Sequence, residues 1–310
     1  MAFYRSFREQ VVSSRSPIVD RIIEEPVPSK SAQSTVTSIY QVNMVGYWRN
    51  LTILWTKNYM NHSLHLTVDG LGGEIQYNCK IDVKPWHFWS KKGYKSFIVD
   101  GHQVEVYWDL RSAKFSSSPE PSSDYYVALV SDEEIVLLLG DYKKKVYKRT
   151  KAKSPLTDAV LVTKKENVFA KKSFSTKACF DESGRDSDIV VESSNSGQNK
   201  DPEMWVSIDG IVMIHVRNLQ WKFRGNQTVI VNKQPVQVLW DVHDWLFSES
   251  GPGGAGLFIF KPGPLEPDSE REGSALSGCE SDDGSGFYST RSQATTNFDF
   301  CLILSAYKIE

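Results

Sequence analysis

Cysteine is scarce: four in 310 residues, Cys79, Cys179, Cys279 and Cys301, and no CxxC pair among them. That spacing excludes a zinc ribbon, a thioredoxin-type redox pair and a disulfide-dense secreted scaffold. No apolar stretch approaches the length that spans a bilayer. Residues 1–17 lack the apolar core of a secretory signal, so the sequons at Asn50, Asn61 and Asn226 are expected to stay unglycosylated. A reducing compartment, cytoplasmic or nuclear, fits best, although Arg5, Arg8 and Arg15 leave plastid targeting open. Sustained helical periodicity is nearly absent. So are a nucleophile elbow, an HExxH pair, a kinase signature and a GK[ST] phosphate loop. Gly251, Gly253, Gly254 and Gly256 are therefore read as a hairpin connection.

What is present is aromatic and strand-like. Nine Trp, 13 Tyr and 15 Phe accompany a normal 40% of hydrophobic residues; aromatic side chains suit a pleated, half-buried surface. Short apolar runs recur between turn residues. Asp100–Gly101 and Asp209–Gly210 mark hairpins, because Asp-Gly supplies the positive φ of a two-residue turn. A further turn is expected at Asp132–Glu133. Helical turns are expected only near Ala113 and Glu166.

Trp89–Phe115 and Trp221–Phe247 align without a gap at an offset of 132 residues, with 9 identities in 27 positions. The identical pairs include Gly93/Gly225, Val104/Val236, Val106/Val238, Trp108/Trp240 and Asp109/Asp241. Chance would supply about one or two, so the chain contains an internal duplication. The expected fold is all-β: a duplicated antiparallel β-sandwich of two homologous half-units, about seven strands each. The expected organisation is a disordered segment over residues 1–33, a first repeat over 34–152, and a second over 153–263. An acidic Ser/Gly-rich disordered insertion over 264–296 and a C-terminal strand over 297–310 that docks back on the sheets complete it.

Four stretches carry a family resemblance: KIDVKPWHFWSKKGYKSFIVDGHQVEVYWDLRSAKF (Lys80–Phe115), LQWKFRGNQTVIVNKQPVQVLWDVHDWLF (Leu219–Phe247), ALVSDEEIVLLLGD (Ala128–Asp141) and VYKRT (Val146–Thr150). They resemble plant proteins catalogued as domain of unknown function 868, over roughly Ala32–Pro262 and the last strand. The resemblance implies a plant source. It implies no activity, cofactor or catalytic residue.

The formal net charge of −2 conceals a local imbalance. From Asp141 to Lys172, 11 basic residues face only Asp141, Asp158 and Glu166. The densest part, KKKVYKRTKAK (Lys143–Lys153), is a candidate anion site through Lys143, Lys144, Lys145, Lys148 and Arg149, for a phosphoinositide head group or nucleic-acid phosphates. Its plainer reading is a solvated linker between repeats. Trp86 and Phe88, aromatic in the first copy only, are candidates for stacking a sugar or base, or else pack between the repeats. Trp89 and Trp221 recur and read as core.

On an extended strand Val104, Val106 and Trp108 share the core face, and Asp109 points away. Asp109 and Asp241 then read as strand-end carboxylates that accept backbone N–H groups of the next turn. Asp241, His243 and Asp244 could instead serve a hydrolase. His62 and His65 fall on opposite faces of a strand, which argues against a metal pair. The acidic turn at Asp181–Asp188 is a weak calcium candidate. No cofactor is indicated. The expected function is a non-catalytic intracellular binding or adaptor module. A carbohydrate- or lipid-binding β-domain is the first alternative and a hydrolase the second.

Overall fold

The computed structural model describes residues 34–58, 61–70, 72, 75–83, 88–170, 172–181, 184–194, 201–247, 254–263 and 300–308, with the side chains of 75, 76, 88 and 89 excepted. The segments expected to be disordered, 1–33 and 264–296, lie outside these residues.

The chain opens with a four-strand meander, β1 (Ser34–Met44), β2 (Tyr47–Lys57), β3 (His62–Asp69) and β4 (Ile75–Val83). A second meander follows: β5 (Lys92–Val99), β6 (His102–Asp109), β9 (Tyr126–Ser131) and β10 (Glu134–Gly140), with the short pair β7 (Lys114–Phe115) and β8 (Pro121–Ser123) between β6 and β9. Helix α1 (Lys143–Thr150) leads to β11 (Val160–Phe169). The second half opens with a further four-strand meander, β12 (Ser173–Cys179), β13 (Asp186–Ser194), β14 (Glu203–Ile208) and β15 (Ile211–Val216). Then come β16 (Arg224–Val231), β17 (Gln234–Asp241), helix α2 (His243–Phe247), β18 (Ala255–Pro262) and β19 (Cys301–Tyr307). The fold is mostly β, as the alternating sequence pattern requires. The nineteen strands among the described residues exceed the roughly fourteen expected, because both first meanders are complete and β11 is a strand of its own. Glu166 lies inside β11 and not in a helical turn, and residues 111–112 only bend.

Nine strands form one sheet in the order β16-β17-β18-β19-β11-β1-β2-β3-β4. Two four-stranded sheets, β10-β9-β6-β5 and β12-β13-β14-β15, pack on it. The C-terminal strand β19 enters the large sheet between β18 (antiparallel) and β11 (parallel). Its Phe300, Leu302 and Leu304 face is buried.

The turns obey the backbone logic. Asp100 and Gly101 take φ of 47° and 84°, Asp209 and Gly210 of 50° and 79°, and Asp132 and Glu133 of 46° and 62°. Positive φ at both central residues matches the twist of the flanking strands. The β1–β2 turn uses Val45 (φ 54°) and Gly46 (φ 82°). A β-branched residue there costs about 1–2 kcal/mol. Val45→Asn, at an exposed site, should therefore raise the unfolding free energy by about 1 kcal/mol in urea titration. A neutral or destabilising result would show that the turn is not strained.

Two hydrophobic cores result. One joins β1–β4 to β5, β6 and β9 through Leu51, Trp55, Leu66, Val106 and Trp108. The other joins β12–β15 to β16–β19 through Val191, Val206, Val238, Trp240 and Phe258. Between them the inner face of β11 carries Lys164 and Glu166 where a sandwich would carry aliphatic side chains. Lys164 Nζ lies 2.8 Å from Glu166 Oε1 and donates to the Lys177 carbonyl at 3.0 Å. Thr176 Oγ1 donates to Glu166 Oε1 at 2.6 Å. Burial works against the Lys164 charge, but Glu166, Glu120 and Asp186 nearby leave its pKa above the usual lysine value. Burial raises the Glu120 carboxyl too, opposed by Lys164.

The Gly–Trp hairpins are built alike. Gly93 pairs with Trp108 across β5–β6, and Gly225 with Trp240 across β16–β17. Trp108 Nε1 donates to the Ser90 carbonyl at 2.9 Å, and Trp240 Nε1 to the Lys222 carbonyl at 3.2 Å. Leu110 N donates to the Lys91 carbonyl and Val242 N to the Phe223 carbonyl. Every one of these partners is related by the same 132-residue offset. The indoles are core, as expected. Trp221 is not: 82% of it is exposed, because it sits in the turn after Asn218 and outside the strand pattern.

Candidate basic site on the outer face of the first small sheet

The basic segment is ordered as helix α1 and not as a linker. Eight residues are too few for a stable isolated helix, so docking must hold it. Val146 is fully buried on the outer face of β9 and β10, against Tyr126, Ala128, Val130 and Ile135. Arg149 fastens the other flank. Its Nη1 donates to the Tyr126 hydroxyl at 3.2 Å, and its Nη2 to the Gly93 carbonyl at 3.1 Å. Its guanidinium carbon stands 5.6 Å from the centre of the Tyr107 ring. Of the five candidate anion ligands, Arg149 is thus engaged in holding the helix to the sheet.

The four lysines are different. Lys143, Lys144, Lys145 and Lys148 are exposed. Among the described residues none of them is within ion-pair distance of a carboxylate. Lys145 Nζ lies over the Tyr142 ring at 3.3 Å. Residues 144 and 148 are one turn apart and opposite Val146, so they form the crest of the helix. Lys151, the left-handed C-cap residue, and Lys153 extend the row. Three cations in the first turn oppose the helix dipole, and no side chain caps the N-terminus. Helix stability does not account for this charge.

The second candidate region is a concavity of about 330 Å³ lined by Phe223, Arg224, Asp241, His243, Asp244, Ala255 and Leu257. Its polar groups satisfy one another. Arg224 Nε and Nη2 donate to Asp241 Oδ2 at 2.9 and 2.6 Å. Asp241 Oδ1 accepts the His243 backbone N–H at 3.4 Å, and His243 Nδ1 lies 2.8 Å from Asp244 Oδ1. Asp109 does not join them; it lies on β6, in another sheet. Arg111 Nε and Nη2 donate to its two oxygens at 2.9 and 2.8 Å, and Arg111 N to Oδ1 at 3.3 Å. Burial alone would raise the Asp109 pKa; the Arg111 hydrogen bonds and the Arg111 and Lys92 charges outweigh it and hold it low. Both aspartates therefore have the expected geometry of strand-end carboxylates.

His62 stacks on Phe115, ring centres 4.0 Å apart, while His65 pairs with Lys80 on the opposite face. Burial lowers the pKa of both. No group of three metal-ligating side chains occurs among the described residues. Trp86, Glu182 and Gly251–Gly253 lie outside them, as does the side chain of Phe88.

A family model described as a plant protein of unknown function (DUF868) matches residues 31–308. The chain belongs to this family. The match spans both cores, α1 and the C-terminal strand. No curated protein and no solved structure matches. No described helix is long and apolar enough to cross a membrane.

Charge density alone marks the segment 143–153. It does not reveal the roles within it, since Arg149 is distinguished from its neighbours only by tertiary partners. Tyr94 and Tyr107, beside α1, carry no such signal, because alternate aromatics on a strand look like core.

Proposed function

We propose that this member of DUF868 is a non-catalytic intracellular binding module, a duplicated β-sandwich that presents α1 to a polyanionic partner. The duplication reading is supported by the Gly–Trp hairpins, which share their indole bonds and strand-end backbone bonds at one sequence offset. The binding reading rests on one observation above all. Among the described residues, four exposed lysines stand without carboxylate partners on a helix that Val146 and Arg149 anchor to a rigid sheet. Such a fixed cluster displaces counterions from a phosphate or sulfate surface, a gain that grows with each anion neutralised. A role as an enzyme finds no support in either polar cluster, where each carboxylate is held by an arginine or histidine of its own hairpin.

The test is the full chain carrying Lys143→Gln, Lys144→Gln, Lys145→Gln and Lys148→Gln. Stability should change little, because the sites are exposed. Affinity for dextran sulfate should fall, and the slope of log K against log salt should flatten by roughly 0.7–0.9 for each anion no longer neutralised. An unchanged slope would remove α1 from the reading.

A further inference from the structure

The step between α1 and the open edge of its sheet adds a second chemistry to the cations. Strand β5 is the edge of the small sheet, and its outer face carries Lys92, Tyr94, Ser96 and Ile98. Tyr94 pairs with Tyr107 on β6; the rings stack at 5.8 Å with 21° between planes, and Tyr94 remains 61% exposed. Arg149 crosses over Tyr107 to reach Gly93 on β5. Lys145 lies one turn before Arg149 and so projects from the same flank of the helix. The helix thus forms a cationic wall, and the two tyrosines form an aromatic floor beside it. Lys92 and Arg111, both part-exposed, mark one end of this step.

We infer that this step binds single-stranded nucleic acid, with phosphates on Lys144, Lys145 and Lys148 and an unpaired base stacked on Tyr94. Here the proposal rests on the polyanion reading above and deepens it. The shape favours a strand over a membrane. A helix with its side chains is roughly 10 Å across, so a flat bilayer resting on the Lys144–Lys148 crest would not reach the recessed Tyr94 ring. A flexible strand can lie along the wall and place bases on the floor, the combination that sequence-tolerant single-strand binders use. Of the acids on the floor, Asp109 is neutralised by Arg111 and Lys92, and Glu105, which accepts from the Tyr107 hydroxyl at 2.8 Å, leaves one negative charge against the three lysines.

The experiment measures binding of labelled 12-nucleotide single strands of uniform base, the matching duplex, and phosphatidylcholine vesicles containing phosphatidylserine. Tyr94→Ala in the full chain should weaken single-strand binding by roughly 5- to 100-fold and leave the salt slope unchanged. Tyr94→Phe should retain binding, since stacking needs the ring and not the hydroxyl. Binding to vesicles without binding to single strands overturns the inference while leaving the polyanion reading intact. So does equal affinity for duplex, or a Tyr94→Ala protein that binds as tightly as the parent. An unchanged salt slope for dextran sulfate in the four-lysine variant, tested separately, is the failure that belongs to the broader reading.

Discussion

Gly225→Ala is expected to destabilise the protein by about 2–4 kcal/mol, and Gly93→Ala by a similar amount. In an unobstructed strand the same exchange would be neutral or favourable, because alanine loses less backbone entropy than glycine. Here a methyl group on Gly225 would sit 2.4 Å from Trp240 Cζ2, and one on Gly93 2.5 Å from Trp108 Cζ2. The indole cannot step aside, because its Nε1 is bonded to the carbonyl three residues before the glycine. Moving it would either break that bond or lift a large core side chain, and overpacking plus partial loss of a buried tryptophan costs several kcal/mol. Both glycines lie on edge strands, where a bare backbone covered by a cross-strand aromatic is a known stabilising device. Urea unfolding of each variant checks the magnitude. Trp240→Phe should restore part of the loss in Gly225→Ala, a non-additivity that a change elsewhere would not produce. If Gly225→Ala unfolds at the parent midpoint, the indole is not locked as described.

Lys164→Met is the second large effect, with an expected loss of about 3–5 kcal/mol near pH 8. The lysine and Glu166 side chains are 15% and 8% exposed, so removing the cation strands a carboxylate between the two cores. Glu120, which the Lys164 charge also stabilises, would lose its nearest compensation. The pH dependence has a definite sign. Burial already raises the Glu120 pKa, and without the Lys164 charge that opposes this the folded value rises further above the unfolded one. Groups shifted that way contribute stability at low pH and lose it as pH rises through the folded pKa. The deficit should therefore shrink between pH 8 and pH 5. Adding Glu166→Gln should recover part of it at pH 8. A Lys164→Met protein within about 1 kcal/mol of the parent at pH 8 would mean that water, and not the lysine, satisfies Glu166.

Much of the fold is legible in the residues. Strand alternation identifies β5, β6, β16 and β17, and the Asp-Gly turns fall where positive φ is observed. The inward valines and indoles of the two hairpins take the face that alternation assigns them. Helix α1 is not legible, because eight residues with one buried valine carry no periodic signal; its order comes from packing on the neighbouring β9 and β10 and from the Arg149 bond to Gly93 on β5. Trp221 misleads for the converse reason. It recurs at the right offset, but its backbone turns before the strand begins, so recurrence does not mean burial. The candidate site is half visible: charge density marks residues 143–153, but nothing in the sequence places Tyr94 beside them.

By itself the sequence determined the local units. Side-chain period, turn chemistry and the repeated Gly–Trp pairing act between near neighbours, and those interactions survive in any arrangement of the meanders. Tertiary structure alone decided how the units assemble. The first meander of the first half lies in the nine-stranded sheet, whereas the matching meander of the second half forms a small sheet of its own. Strand β19 joins β11 across more than a hundred residues. Lys164 and Glu166, ordinary in a surface strand, become the divide between two cores once β12 covers them. Such choices depend on which faces meet, and that is fixed by burial and pairing across the whole chain.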